Sequence, residues 1–230
     1  MLALEGLRLA LGGFRLAADV TIPPGITALM GASGSGKSTL LSAVAGFLAP
    51  EAGRIRIDGA DVTALPPGAR PLSMLFQDQN LFPHLTVAQN VGLGLRPDLR
   101  LSPEQTAARD AVLARVGLDG LQDRLPRDLS GGQQSRAALA RALLRARPWL
   151  LLDEPFAALG PALRRDMLAL LAETTRAGGL SVLMVTHDPD DALAVSERTC
   201  LVAEGRVSDP APTRALFDDP PPALRAYLGI

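Results

Sequence analysis

Apolar and polar positions divide the chain into short strands and amphipathic helices. The segments LEGLRLAL and FRLAADVTI alternate partly between apolar and polar residues and are separated by Gly12 and Gly13, which predicts two paired strands. Continuous apolar runs at 26–30, 149–152 and 180–185 predict strands buried on both faces of a parallel sheet. The segments GRIRIDG and SMLF predict two further strands.

Helical periodicity appears between these strands. Apolar residues recur at helical spacing over 37–47, 133–147 and 161–175. A further helix is predicted over 102–116, with Ser102 as its cap and a proline in its first turn. Strands that alternate with helices indicate an α/β fold.

Two regions depart from simple alternation. The stretch from about 81 to 144 lacks strong strand patterns, so it is predicted to be a helical insertion between two strands of the sheet. Near the end, TCLVA and RVSD flank Glu204 and Gly205, which predicts a hairpin. The Pro-rich tail that follows is expected to wrap the surface around one short helix.

Composition narrows the class of protein. The 230 residues carry a net charge of −1, which argues against a basic nucleic-acid-binding surface. The single cysteine, Cys200, lies in an apolar run and is expected to be a core residue. No run of about 18 apolar residues occurs and the N-terminus does not resemble a signal peptide, so any work at a membrane requires docking on another protein.

One motif predicts a phosphate-binding loop between the strand at 26–30 and the helix that follows. It fits G-x-x-x-x-G-K-[ST] and consists of Gly31, Ala32, Ser33, Gly34, Ser35, Gly36, Lys37, Ser38 and Thr39. Glycines let successive backbone N–H groups surround a phosphate. Lys37 is the only lysine of the chain and is expected to reach the β- and γ-phosphates, while Ser38 is expected to ligate Mg²⁺.

A pair of acids ends the apolar strand at 149–152. Asp153 and Glu154 follow this strand, and ligand groups gather at the carboxyl ends of strands in open parallel sheets. Asp153 is predicted to hold Mg²⁺ through a water. Glu154 is predicted to polarise the water that attacks the γ-phosphate.

A second anion-binding helix start is predicted at LSGGQ. Its residues Ser130, Gly131, Gly132 and Gln133 open the helix that ends near residue 147. One chain then carries two phosphate-binding motifs. A single nucleotide held between two copies, by Lys37 of one and Ser130 of the other, accounts for both.

These motifs resemble, in order and spacing, the ATPase subunits of ABC transporters. The resemblance implies that Gln77, after SMLF, is the glutamine that senses Mg²⁺ and the transporter partner. It also implies that His187 is the switch histidine on the γ-phosphate. The catalytic residues that it implies are Glu154, His187, Lys37 and Gln77. The ligands that it implies are ATP and Mg²⁺. The fold implied is a P-loop NTPase with a RecA-like parallel core, an N-terminal antiparallel β subdomain and a helical subdomain.

The resemblance also implies domain limits, partners and location. Residues 1–230 are expected to form one ATPase domain, with the core and β subdomain at about 1–80 and 148–230 and the helical subdomain at about 81–147. The expected partners are a second copy of the chain, integral membrane permease subunits and, indirectly, an extracytoplasmic solute-binding protein, with no nucleic acid. The expected location is the cytoplasmic face of the inner membrane.

Within that family, the chain most resembles the ATPases of bacterial thiamine importers. Two segments carry this resemblance, PLSMLFQDQNLFPHLTVAQNVGLGL and LLLDEPFAALGPALR. Three positions depart from the family pattern. Gly160 occupies a position where the family usually has an aspartate. Leu11 occupies the position of an aromatic residue that usually stacks on adenine, and Phe14 is the candidate to replace that aromatic. Ser135 occupies a position where glutamine is frequent. An importer of iron, a polyamine, a sugar or an anion remains the alternative, and a non-transport ABC ATPase or a non-catalytic ATP-dependent switch is less favoured.

Overall fold

The computed structural model describes residues 1–76, 80–157, 159–177 and 179–230. Its strands are β1 (Leu2–Leu11), β2 (Phe14–Ile22), β3 (Ile26–Met30), β4 (Ala52–Ile57), β5 (Ala60–Asp61), β6 (Leu72–Leu75), β7 (Trp149–Asp153), β8 (Ser181–Val185), β9 (Arg198–Ala203), β10 (Arg206–Val207) and β11 (Ala211–Pro212). Its helices are α1 (Lys37–Ala45), α2 (Val87–Gly92), α3 (Pro103–Arg115), α4 (Gly131–Leu144), α5 (Pro161–Arg176), α6 (Pro189–Val195), α7 (Thr213–Asp218) and α8 (Pro222–Leu228).

The strands of the described residues form one mixed sheet in the order β5-β4-β1-β2-β10-β9-β3-β8-β7-β6, with β11 paired to β9. The strands β6, β7, β8, β3 and β9 are mutually parallel, whereas β1, β2, β4 and β5 pair antiparallel. Every residue of β3, β7 and β8 is buried, as expected for strands covered on both faces. The α/β fold with a parallel core and an antiparallel N-terminal part is confirmed.

Between β6 and β7 the described residues contain helices α2, α3 and α4 and no strand. Each of these helices begins with a reciprocal capping box, formed by Thr86 with Gln89, Ser102 with Gln105, and Ser130 with Gln133. Their apolar faces pack on one another and on β7 and β8 in a shared hydrophobic cluster. The helical nature of this insertion is confirmed, while its limits at about 81 and 147 stay predictions.

The tail differs from the expected arrangement. It contains two short helices, α7 and α8, where one was predicted, and it does more than wrap the surface. Pro222 occupies the first turn of α8, where a missing N–H costs no hydrogen bond. Leu224 then inserts into an apolar cluster with β3 and β9 and is completely buried. The hairpin of β9 and β10 forms as predicted.

Two buried side chains differ in charge, since the thiol of Cys200 is neutral and the guanidinium of Arg70 is charged. Cys200 lies in the core as predicted, and burial raises the pKa of its thiol to about 12, so it stays protonated. Arg70 is charged and only 2 % exposed. Its guanidinium donates to the carbonyl oxygens of Ala43 and Val44 at 2.8 Å each and to those of Leu65 and Thr63 at 2.9 Å each.

We expect Arg70→Met to lower the free energy of unfolding by about 3 kcal/mol, because carbonyl groups at the end of α1 lose a charged donor in a buried place. Urea denaturation followed by circular dichroism measures this. The exposed strand residue Arg54 gives the matched control, since Arg54→Met is expected to change stability by less than about 0.5 kcal/mol. Equal midpoints for the two variants would contradict the assignment.

Candidate nucleotide-binding site

The predicted phosphate loop joins the buried strand β3 to helix α1. Helix α1 begins at Lys37, and its N-cap residue Gly36 provides no side-chain cap. The first N–H groups of a helix have no acceptor within the helix. No acidic residue lies in the first turn of α1. This helix start therefore presents unpaired donors and a partial positive charge to an anion.

Two glycines of the loop are required by close approaches. At Gly31, with φ of +152°, an added Cβ would lie 2.2 Å from the carbonyl oxygen of Val202 on β9. At Gly36, with φ of +104°, it would lie 2.4 Å from the ring of Phe14 on β2. Larger residues at these positions would displace neighbouring strands as well as strain the loop.

Lys37 points back into the loop. Its Nζ donates to the carbonyl oxygens of Gly31 at 2.7 Å and Ala32 at 2.8 Å. Burial lowers the pKa of Lys37, and the nearby carboxylates of Glu154 and Asp153 act in the opposite direction. The ammonium is thus partly desolvated and held by weak carbonyl acceptors that a phosphate could replace.

Ser38 and Asp153 connect the loop to the neighbouring strand end. The Ser38 hydroxyl donates a hydrogen bond to the Asp153 carboxylate at the end of β7. Burial raises the pKa of Asp153, and the charge of Glu154 adds to that rise, whereas the bond from Ser38 and the charge of Lys37 lower it. A hydroxyl and a carboxylate at one point are hard oxygen donors of the kind Mg²⁺ prefers, so these residues fit that ion.

Glu154 has a strained backbone. Its φ is +48°, in the left-handed region that is uncommon for residues other than glycine. Its N–H donates to the carbonyl of Val185, the last residue of β8, at 3.2 Å. This conformation turns the Glu154 carboxylate toward His187, whose Nδ1 lies 3.4 Å from Oε2. Strain of this kind concentrates at functional sites.

The loop that carries His187 is held by a charged network. Arg164 on α5 forms ion pairs with Asp188 at 3.0 Å and with Asp191 at 2.6 Å. The Thr186 hydroxyl donates to Asp191 at 3.0 Å and accepts from the N–H of Asp188 at 3.1 Å. The residues on both sides of His187 are therefore fixed to α5 and α6.

The phosphate loop, Glu154 and His187 face one cavity of about 550 Å³. Its lining includes Gly31, Ser33, Gly34, Gly36, Lys37, Ser38, Thr39, Glu154 and His187. Leu11 and Phe14 line it as well, at the place where an adenine was expected. Ala32 and Ser35 line an adjacent cleft of about 300 Å³. A phosphate-rich ligand would thus meet backbone donors, the Lys37 ammonium, the Glu154 carboxylate and the His187 imidazole.

The LSGGQ residues 130–133 lie elsewhere in the described structure and do not line this cavity. Ser130 caps α4 and is exposed, and an added Cβ at Gly132 would lie 3.0 Å from Leu159, near the start of α5. A single copy of the chain therefore does not bring the two predicted phosphate-binding motifs together. Gln77 lies outside the described residues.

Known proteins are similar to this chain over its full length. The ABC transporter family profile matches residues 17–157. A thiamine import ATP-binding protein, ThiQ, from Cereibacter sphaeroides is 61 % identical over the full length of both chains. Proteins of the same name from Ruegeria sp. (strain TM1040) and Yersinia pestis are 55 % and 51 % identical, and cover all of this chain and 100 % and 98 % of their own.

The chain belongs to the ABC transporter family. A solved structure, the dimeric structure of MJ0796, described as a bacterial ABC transporter cassette, superposes with a TM-score of 0.82 and 30 % identity. The match covers 93 % of this chain and 99 % of that one. The predicted family and fold are confirmed, and the chain is an ATP-binding protein of a family whose general activity is ATP hydrolysis.

Two residues of this ABC ATPase site were not predicted from sequence. Tyr227 lines the cavity from the distant helix α8, and Arg164 orders the histidine loop from α5. A tyrosine in a Pro-rich tail and an arginine on an amphipathic helix carry no motif that links them to the loop at 31–39. Only the packing of α8 and α5 against the sheet reveals them.

For this ABC ATPase we expect Lys37→Ala to weaken ATP binding by about 10- to 100-fold, because charge-assisted hydrogen bonds to phosphate are lost. Lys37→Arg is expected to fail as well, since a planar fork does not fit a cradle closed by the carbonyls of Gly31 and Ala32. Titration with a fluorescent ATP analogue measures the affinity.

Arg176→Ala removes a cation from the exposed end of α5 and serves as the control for charge alone. It is expected to bind ATP as the unmodified chain does. Wild-type affinity in Lys37→Ala would show that the loop does not hold the phosphates.

Proposed function

We propose that this chain is the ATP-hydrolysing subunit that powers a bacterial thiamine importer. The observation that carries this proposal is that relatives 51–61 % identical, over nearly full length, are named thiamine import ATP-binding proteins. The similarity extends through both the loop at Lys37 and the helical insertion, so it includes the part of the chain expected to face a permease.

In the proposed mechanism, the backbone donors of 33–39 and the Lys37 ammonium hold the β- and γ-phosphates of ATP. Ser38 and Asp153 would hold Mg²⁺, with Gln77 as a further ligand expected from sequence. When bound, this ion neutralises charge on the phosphate oxygens. Lys37 then exchanges its carbonyl acceptors for phosphate oxygens, which gives it stronger, charge-assisted bonds.

Glu154 is proposed to act on the attacking water. Its carboxylate accepts a proton from that water as the oxygen approaches the γ-phosphate, and its strained backbone fixes the direction of attack. His187, close to Glu154, is proposed to donate a hydrogen bond to the γ-phosphate as charge builds there. Both groups are preorganised by the ends of β7 and β8.

Two copies of the chain are proposed to share two nucleotides. Ser130, Gly131, Gly132 and Gln133 open α4, and Ser130 and Gly131 are exposed. The capping box occupies the N–H groups of Ser130 and Gln133, so the N–H groups of Gly131 and Gly132 are proposed to meet the nucleotide held by another copy. The dimeric structure of the related cassette supports this arrangement. The isolated subunit is then expected to hydrolyse ATP only under conditions that allow the dimer to close.

Permease subunits are proposed to dock beside the helical insertion. Phe82 is an exposed aromatic in the loop that precedes α2, and this loop is held by Asn90, whose side chain bonds to backbone atoms of Phe82, Leu85 and Thr86. An exposed apolar group on a rigid loop favours a protein contact. Among the described residues, no helix has the length and apolar character needed to cross a bilayer. Attachment to a permease at the cytoplasmic face of the inner membrane is the proposed location.

We expect Glu154→Gln to reduce ATP hydrolysis at least about 100-fold while ATP binding persists, since the amide cannot accept the proton. ATP should then hold the variant as a closed dimer, seen by size-exclusion chromatography with light scattering. Glu173→Gln, at an exposed position of α5, is the matched control and should hydrolyse normally. Hydrolysis by Glu154→Gln at the wild-type rate would disprove the role of the base.

The transported solute is tested in the assembled transporter. We expect the complex of this chain with its co-purifying permease and binding protein, in liposomes, to hydrolyse ATP faster when thiamine is added. Iron, a polyamine, a sugar and sulfate are the comparison solutes. Stimulation by one of these, and none by thiamine, would assign the subunit to another importer, although it would leave the ATPase assignment intact.

A further inference from the structure

Helix α8 places one side chain inside the nucleotide cavity. Tyr227 is the only tyrosine of the chain, and it lines the cavity beside Lys37, Glu154 and His187. Its hydroxyl donates a hydrogen bond of 2.7 Å to the main-chain carbonyl of His187. The two residues are 40 positions apart in sequence, so this contact depends entirely on the packing of the tail.

The position of Tyr227 is set by a buried anchor. One turn earlier on the same helix, Leu224 is completely buried among Ala28, Met30 and Leu201. Ala28 and Met30 belong to β3, the strand that leads into the phosphate loop. Because side chains three residues apart lie on the same face of a helix, the anchor also directs Tyr227 toward the loop. The hydroxyl thus reaches His187 from the scaffold that carries Lys37.

His187 itself has few fixed contacts. Its side chain is 55 % exposed, and the 3.4 Å separation from Glu154 is longer than a good hydrogen bond. On one side of the loop, Arg164 fixes Asp188 and Asp191. At His187 itself, Tyr227 holds the backbone carbonyl. The orientation of the imidazole therefore depends on how its backbone is fixed.

We propose that Tyr227 is a positioning residue that sets the orientation of His187 toward the γ-phosphate. Helix α8 then acts as a strap that ties the histidine loop to the phosphate-loop strand. This inference rests on the proposed function, since it assumes that His187 serves hydrolysis. A plain packing role for Tyr227 would affect stability, and a direct nucleotide contact would affect affinity, so each makes a different prediction.

The test compares Tyr227→Phe with the unmodified full chain in its permease complex. Phenylalanine keeps the ring and the Leu224 anchor but removes the donor. We expect kcat to fall about three- to tenfold, as for the loss of one neutral hydrogen bond expressed in the transition state. The KM for ATP and the melting temperature should stay unchanged.

A second measurement observes His187 directly and does not require hydrolysis. The chain has two histidines, so labelled imidazole signals in NMR spectra of the full chain can be assigned with His187→Ala. We expect Tyr227→Phe to shift the His187 signals and to leave those of His84, an exposed residue of the loop before α2, in place. His84 is therefore an internal control.

Arg225→Ala is the matched control on the same helix. Arg225 contacts Pro220 and Asp219 outside the cavity, so its loss perturbs the helix without touching His187. This variant should keep both the wild-type kcat and the His187 signals. The same losses in Arg225→Ala would mean that any disturbance of α8 suffices, and would overturn a specific role for the hydroxyl.

The outcomes separate this inference from the proposed function. Unchanged His187 signals, or an unchanged kcat in Tyr227→Phe, would overturn the positioning role while Glu154-dependent hydrolysis still stood. A raised KM with normal kcat would point instead to a nucleotide contact and would also overturn it. Hydrolysis that does not depend on Glu154 would remove the proposed function, and the NMR signals would still decide whether Tyr227 orients His187.

Discussion

The structure depends on one constraint, which is that a buried strand must end in a loop whose N–H groups converge on an anion. That loop admits no Cβ where strands approach it. Gly31 lies against the carbonyl of Val202 and Gly36 against the ring of Phe14, so β9 and β2 take positions that glycine alone permits. The parallel core and the antiparallel part of the sheet thus meet around this loop. Lys37 completes this cradle, and its Nζ donates to the carbonyl oxygens of Gly31 and Ala32.

The ends of neighbouring strands place the charged and titratable groups of the site close to one another. Asp153 and Glu154 lie at the end of β7 and His187 follows β8, the adjacent strand, so all three lie at the carboxyl edge of the sheet, where Glu154 and His187 line the cavity. Burial disfavours the charged form of Asp153 and raises its pKa, and the neighbouring carboxylate of Glu154 adds to that rise. A cation bound there would relieve that repulsion. The left-handed backbone of Glu154 stores strain at the point where, in the proposed mechanism, water is activated.

The proposed mechanism depends on the separation of the two phosphate-binding motifs within one chain. Lys37 and Ser130 belong to one chain but face different surfaces, so a nucleotide that needs both must be shared by two copies. Binding energy can then close a dimer, because a ligand stabilises whichever state it contacts more fully. Among the residues that the structure describes, an added Cβ at Gly160, the N-cap of α5, would meet nothing within 4 Å, so no packing contact there requires the usual aspartate.

The sequence by itself determined the parts of this protein whose physics is local. Glycine spacing defines the loop at 31–39, apolar runs define β3, β7 and β8, and capping residues start α3 and α4, since each depends on neighbours a few residues away. Only the tertiary structure decided how distant groups meet. It turned a Pro-rich tail into α8, buried Leu224 against β3, and brought Tyr227 and Arg164 to the loop of His187. These contacts depend on long-range packing of apolar faces, and a tyrosine or an arginine in a linear sequence does not indicate which loop it will hold.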